Sequence, residues 1–140
     1  MCRNTSMEII KYTFSPHGDE RGQLVAIEAL KDLPFEFKRV YYIYDTKDGV
    51  RRGFHAHYDL EQILICVSGS CKIHLDNGFE TEEVLLDKPY EGLYIANNMW
   101  REMYDFTKDA VLLVIASRPY DESDYIRNYE DFIKMVKENK

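Results

Sequence analysis

Cationic charge is what this chain has least of: 18 lysines and arginines stand against 25 aspartates and glutamates, a formal net charge of −7. That field repels a phosphate polyanion or an anionic bilayer at a distance, which argues against nucleic-acid and membrane partners. A small anion remains acceptable wherever arginines cluster locally. Cysteine is scarce as well. The three, Cys2, Cys66 and Cys71, cannot all pair within one chain; Cys66 lies inside an apolar run and Cys71 opens the next, so both are expected as buried thiols rather than parts of a disulfide framework. Long apolar runs are absent too. No window approaches the roughly 18 to 20 residues of a membrane span, and residues 1–6 contain no apolar signal core, so a cytoplasmic protein is expected. No repeat, low-complexity tract or linker interrupts the chain, and 140 residues suit a single domain spanning 1–140.

What is present is apolar and aromatic. Hydrophobic residues make up 45%, and the 14% aromatic share is dominated by 11 tyrosines, as suits a Tyr-rich β protein with a polar, stackable cavity. Short strand-like runs fall at 8–14, 24–29, 37–44, 53–57, 62–67, 71–75, 80–86, 92–95, 100–106 and 110–117. Asn77-Gly78 carries the signature of a tight hairpin, and in the strand before it His74 points away from Cys71, Ile73 and Leu75, towards solvent. After Pro119 the period changes: Tyr125, Tyr129, Phe132, Ile133 and Val136 predict one amphipathic helix over 124–136, capped near Ser123 or Asp124. Many short strands with one terminal helix favour an all-β sandwich or small barrel.

Within the strand-like run Arg52-Gly53-Phe54-His55-Ala56-His57, the two histidines are one residue apart and so share a face. Such a pair can ligate a metal or transfer protons; it can also simply line a polar face. The run resembles the first motif of double-stranded β-helix (jelly-roll) proteins of the cupin type, in which a glutamate follows the histidines and a second motif ends in another histidine. Here Gln62 stands where the four-residue spacing expects that glutamate, while Glu61 fits the three-residue spacing but faces the other side of the strand. Arg101 ends the second motif, and a protonated guanidinium has no lone pair for a metal. Two imidazoles beside a fixed cation suit proton transfer next to a developing oxyanion better than they suit metal ligation. Cys66 remains open as a stray ligand, though a thiol in an apolar run more often belongs to the core.

Several linked motifs carry a closer resemblance. Phe37 to Ile43, Arg52 to His57, Leu60-Glu61-Gln62, Gly92-Leu93-Tyr94, Trp100 to Met103 and Tyr120 to Arg127 look like those of the dTDP-4-keto-6-deoxyglucose 3,4-ketoisomerases. The resemblance implies a metal-free cupin homodimer with a C-terminal helix and no cofactor. Its substrate is a dTDP-linked keto sugar on the way to 3-amino-3,6-dideoxy sugars of surface glycans. It further implies that His55 takes the carbon-3 proton, that His57 shuttles protons between the two oxygens or orients the sugar, and that Tyr41 donates to a sugar oxygen. Arg101, in the second-motif position, is read as a cation standing where the metal would be, able to stabilise the enediolate by its charge. Gln62 and Arg39 are read as substrate contacts, Arg21 as a residue near the sugar, Arg52 and Arg51 as diphosphate contacts, and Tyr94 and Trp100 as sugar or thymine contacts. An N-terminal strand over 8–14 could pair across the dimer. The alternatives are a metal-dependent cupin using His55, His57 and Glu61, a nucleotide-sugar 3,5-epimerase, and a non-catalytic sugar-nucleotide-binding cupin.

Overall fold

Which face each strand turns inward follows from the alternation of its residues. A computed structural model describes residues 7–138; residues 1–6, with Cys2, lie outside the described residues. The strands are β1 (Ile10–Thr13), β2 (His17–Asp19), β3 (Gly22–Leu24), β4 (Arg39–Ile43), β5 (Arg52–His57), β6 (Gln62–Ser68), β7 (Cys71–Asp76), β8 (Thr81–Leu86), β9 (Glu91–Ile95), β10 (Trp100–Tyr104), β11 (Val111–Ala116) and β12 (Tyr125–Ile126), with α1 (Tyr129–Glu138) at the end. Two five-stranded antiparallel sheets form, in the orders β1-β9-β6-β11-β4 and β12-β5-β10-β7-β8. They are the two sheets of the expected jelly roll, and β2 and β3 make a separate hairpin.

Leu64, Cys66, Cys71, Ile73, Leu75, Leu93, Met103, Leu112 and Val114 fill the space between the sheets; in β7 they alternate with polar residues, whereas in β6 and β11 both faces are apolar and the other face meets a second cluster. Both described cysteines are free thiols in this core, and Cys66 Sγ donates to the Ser68 carbonyl, so it is no ligand for the histidines. His74 is partly exposed on the other face of β7, as expected. A second apolar cluster of Phe14, Leu33, Phe35, Ile63, Ile65 and Ile115 covers the outside of the first sheet. A third, Ala56, Trp100, Ile126 and Phe132, lies beneath α1 on the second.

Three expectations need correction. Residues 25–28 form no strand; the ladder ends at Leu24, although Val25 and Ile27 still pack on the outer cluster. The Asn77-Gly78 connection is a four-residue loop rather than a tight turn, because Asp76 pairs with Thr81 and the Asn77 carboxamide accepts from the Phe79 and Glu80 amides. The helix begins at Tyr129, capped by the Asn128 side chain on the Asp131 amide. Upstream, the Asp124 carbonyl and carboxylate accept the Tyr58 and Asp59 amides, which pins the chain extended and lets Tyr125-Ile126 pair with His57-Ala56. Helical spacing at Tyr125 was therefore coincidental.

Phe132, with no exposed surface, joins α1 to the second sheet. Phe132→Ala is expected to cost about 3–5 kcal/mol in urea unfolding; a loss below about 1 kcal/mol would show that the helix adds little to the fold.

Candidate active site

One end of the sandwich, between the edges β4 and β5/β12, opens into a cavity of about 370 Å³. Arg39 and Tyr41 enter it from β4, Arg52 and His55 from β5, and Tyr120, Tyr125 and Arg127 close the side. A bulge explains how Arg52 and His55, three residues apart, reach the same space. Arg101 pairs with His55 while Glu102 pairs with Gly53, so Phe54 is the extra residue. Gly53 and Phe54 both have positive φ, 92° and 59°, and a Cβ on Gly53 would stand 2.8 Å from the Arg101 carbonyl. Glycine is needed at position 53 for both reasons.

Behind the cavity wall Arg101 is 1% exposed. Its Nε and Nη2 donate to the Met99 carbonyl at 3.2 and 2.9 Å, and Nη1 donates to Gln62 Oε1. A guanidinium can only donate, so the Gln62 amide must turn its oxygen to Arg101 and its NH₂ to the Tyr41 oxygen, 3.2 Å away. The Tyr41 oxygen is thereby an acceptor, and its own proton is free for a ligand. Burial raises the Tyr41 pKa, which keeps the phenol protonated. Arg101 thus reaches the cavity through Gln62 and Tyr41 and through its field, not as a wall residue.

That field and burial set the histidines. His55 is pushed down to about 4 and His57 to about 2, in each case by desolvation first and by Arg101 second. The two rings stand edge to face with centroids 5.0 Å apart. His55 Nδ1 lies 3.1 Å from the Gly53 carbonyl and His57 Nδ1 lies 3.1 Å from Asp124 Oδ2. Both partners only accept, so each Nδ1 carries the proton and each Nε2 keeps its lone pair. His55 faces the cavity; His57 is 1% exposed and sits behind it, beside Tyr125.

Other expected contacts lie elsewhere. Tyr94 shares the outward face of the first sheet with its partner Ile63, stacks near Tyr12 and donates to Glu61, so neither Tyr94 nor Glu61 meets the histidines. Trp100, 3% exposed, is part of the core under α1 and donates to Glu102. Arg21 is exposed beside the β2–β3 turn, paired with Asp19, and is not in the cavity wall. Arg51 pairs with Glu102 and lies over the Tyr104 ring. The donor set does not fit a cupin metal: Gln62 and Arg101 fill the other ligand positions, and no group of three His, Cys, Asp or Glu among the described residues could hold one.

Sequence reasoning placed Tyr120 to Arg127 in a matched motif, with Asp124 and Tyr125 in the helix, but gave none of Tyr120, Asp124, Tyr125 and Arg127 a role in the site. Arg127 lies over the Tyr125 ring at 4.2 Å and is held by Glu122 through two hydrogen bonds of 2.9 Å. The recurrence of aromatic and charged residues over 120–127 was the available signal, masked by its helical spacing.

Residues 5–137 match the family described as FdtA: WxcM-like, C-terminal. A TDP-4-oxo-6-deoxy-alpha-D-glucose-3,4-oxoisomerase of Aneurinibacillus thermoaerophilus is 54% identical over 118 residues, 84% of this chain and 85% of that protein. Among solved structures, a 3,4-ketoisomerase from Helicobacter canadensis aligns with TM-score 0.91 at 49% identity, covering 94% of this chain and 99% of the other. The sugar 3,4-ketoisomerase QdtA from Thermoanaerobacterium thermosaccharolyticum in complex with TDP aligns at 0.92 and 46%, covering 94% and 96%.

The histidine environment has a measurable consequence. Because the unfolded chain binds protons at these imidazoles near pH 6.5 and the folded chain does not until about pH 4 for His55 and lower for His57, stability is unaffected above about pH 6.5 and declines as pH falls below it. NMR titration is expected to find both rings neutral at pH 5; a ring titrating near 6.5 would contradict the burial argument.

Proposed function

On the footing that this chain belongs to the FdtA family and is a 3,4-ketoisomerase, we propose that it converts dTDP-4-keto-6-deoxy-D-glucose into a dTDP-3-keto-6-deoxyhexose through an enediolate, without a cofactor. The reading rests above all on a neutral His55 that faces the cavity with a free Nε2, next to a phenol whose proton is also free.

The chemistry asks for little more. His55 Nε2 takes the hydrogen from carbon 3 while Tyr41 donates to the carbon-4 oxygen, which becomes the enediolate oxygen. The carbon-3 hydroxyl then loses its proton, with His57 as carrier, as the carbon-3 carbonyl forms and a proton returns to carbon 4. Oxidation at one carbon balances reduction at its neighbour, so no redox partner is needed. The buried positive charge of Arg101 favours the anion through Gln62 and Tyr41.

Arg39 and Arg52 have no carboxylate partner among the described residues, and the buried Arg39 Nε has no hydrogen-bond acceptor. An anionic diphosphate would satisfy both, and guanidinium pairs with phosphate bidentately. Arg127, the newly recognised wall residue, adds a third cation whose position Glu122 fixes. We read the chain as a cytoplasmic homodimer serving 3-amino-3,6-dideoxy sugar synthesis. Val40 and Tyr42, 51% and 61% exposed on the outward face of edge strand β4, offer apolar surface for association.

The test is direct: supply dTDP-4-keto-6-deoxyglucose in D₂O and follow the sugar by NMR. A 3-keto product with deuterium at carbon 4 is expected, with deuterium at carbon 3 only in recovered substrate, and His55→Asn should slow it by about 10²-fold or more. Exchange confined to carbon 5, or no turnover, would reject the reading. Light scattering should give twice the chain mass; a monomer would remove the dimer from it.

A further inference from the structure

We propose that Asp124 is a positioning residue of the reaction, holding His57 in a single tautomer with Nδ1 protonated and Nε2 bare. The inference rests on the ketoisomerase reading for what His57 does, but the tautomer itself is a property of the resting protein. The two histidines look alike in sequence and differ in their supports. His55 Nδ1 donates to a backbone carbonyl, a neutral partner that any residue at position 53 would supply. His57 Nδ1 donates to a carboxylate, the partner that best stabilises an imidazolium while a proton is in transit.

The carboxylate is itself held. Asp124 Oδ1 accepts the Asp59 amide at 2.8 Å, the Asp124 carbonyl accepts the Tyr58 amide at 3.1 Å, and the Asp124 amide donates to the Asp121 carbonyl at 3.0 Å. On the other side, the His57 carbonyl accepts the Asn98 amide at 2.7 Å, which fixes the end of β5. Both partners are therefore immobilised, and the ring has little freedom to flip. Its Nε2 is buried with no hydrogen-bond partner, an acceptor left open behind His55 and Tyr125. A buried acceptor without a donor costs stability, and a role in proton transfer is one reason to keep it. Arg101 disfavours a charge on His57, and Asp124 supplies the opposing charge within hydrogen-bond reach. Asp121 and Asp59 lie near that carboxylate, and Arg39 and Arg127 add positive charge to the His57 side.

In the reaction this pair keeps His57 Nε2 a bare acceptor just behind the cavity wall, so that a proton relayed from the carbon-3 hydroxyl is taken up there and given back to the carbon-4 oxygen, leaving His57 unchanged after each turnover.

Asp124→Asn tests the assignment. An amide can donate to Nδ1 and so move the ring proton to Nε2, which blocks the acceptor without emptying the site. Nitrogen-15 NMR of the ligand-free protein should report Nε2 as the bare nitrogen of His57 in wild type and as the protonated one in the variant. Turnover of dTDP-4-keto-6-deoxyglucose should fall about 10²-fold or more in kcat, with KM changed by less than about threefold and the unfolding midpoint retained. Asp124→Glu should restore part of the rate. A wild-type His57 with a protonated Nε2, or a variant with normal kcat, overturns the proposal. So does a loss of kcat with the tautomer unchanged. Absence of turnover by wild type would instead reject the ketoisomerase reading, and the NMR result would still decide the tautomer.

Discussion

The site depends on one buried cation. Arg101 sits on β10 of one sheet and is bonded to Gln62 on β6 of the other, and Gln62 in turn holds Tyr41 on β4. These bonds tie the two layers together at the open end of the sandwich, where apolar packing gives way to the cavity. A fully buried guanidinium is expensive in solvation, and its pKa is lowered to about 10 by that burial, yet it remains charged at neutral pH. The same charge orients the Gln62 amide and leaves the Tyr41 proton available, and it adds to the desolvation that keeps both histidines neutral. In a metal-binding relative of this architecture a divalent ion would organise the same region. Here a side chain does so, and it leaves no open coordination position.

The second constraint is the bulge in β5. Regular alternation would place Arg52 and His55 on opposite faces, yet both reach the cavity. Gly53 and Phe54, both with positive φ, insert the extra residue that brings them together. Phe54 is exposed on the outside and contributes nothing to the core; its backbone is what matters. An arginine without a carboxylate partner among the described residues and an imidazole with a bare Nε2 are thereby brought side by side on one strand.

How far the sequence could be read follows from these features. The sheets were legible because the alternation of β7 and the short apolar runs of β6 and β11 between turn residues are local properties, and the histidine pair was legible because two residues on one side of the bulge keep their period. Gln62 and Arg101 were legible as departures from a known motif, although only the coordinates show that they bond each other. Tyr94 and Trp100 were misassigned because an aromatic residue near a strand end has the same local sequence whether it faces a cavity, the outer sheet surface or a helix. Tyr125 and Asp124 were missed for a different reason. Their apolar spacing fits a helix, and the competing signal is a set of hydrogen bonds to Tyr58 and Asp59, more than sixty residues earlier in the chain.

The β5 bulge also makes the length of that strand part of the site. Deleting one residue between Arg52 and His55 would restore a regular ladder with Arg101 and Glu102, a change that relieves backbone strain. The arginine and the first imidazole would then stand two residues apart and still share a face, so what the bulge adds is the distance between them along the strand. Most surface loops in such a protein tolerate gain or loss of a residue. In β5 the three-residue spacing and the bulge work only together, so a change that straightens the strand while keeping its length would set the arginine and the imidazoles on opposite faces.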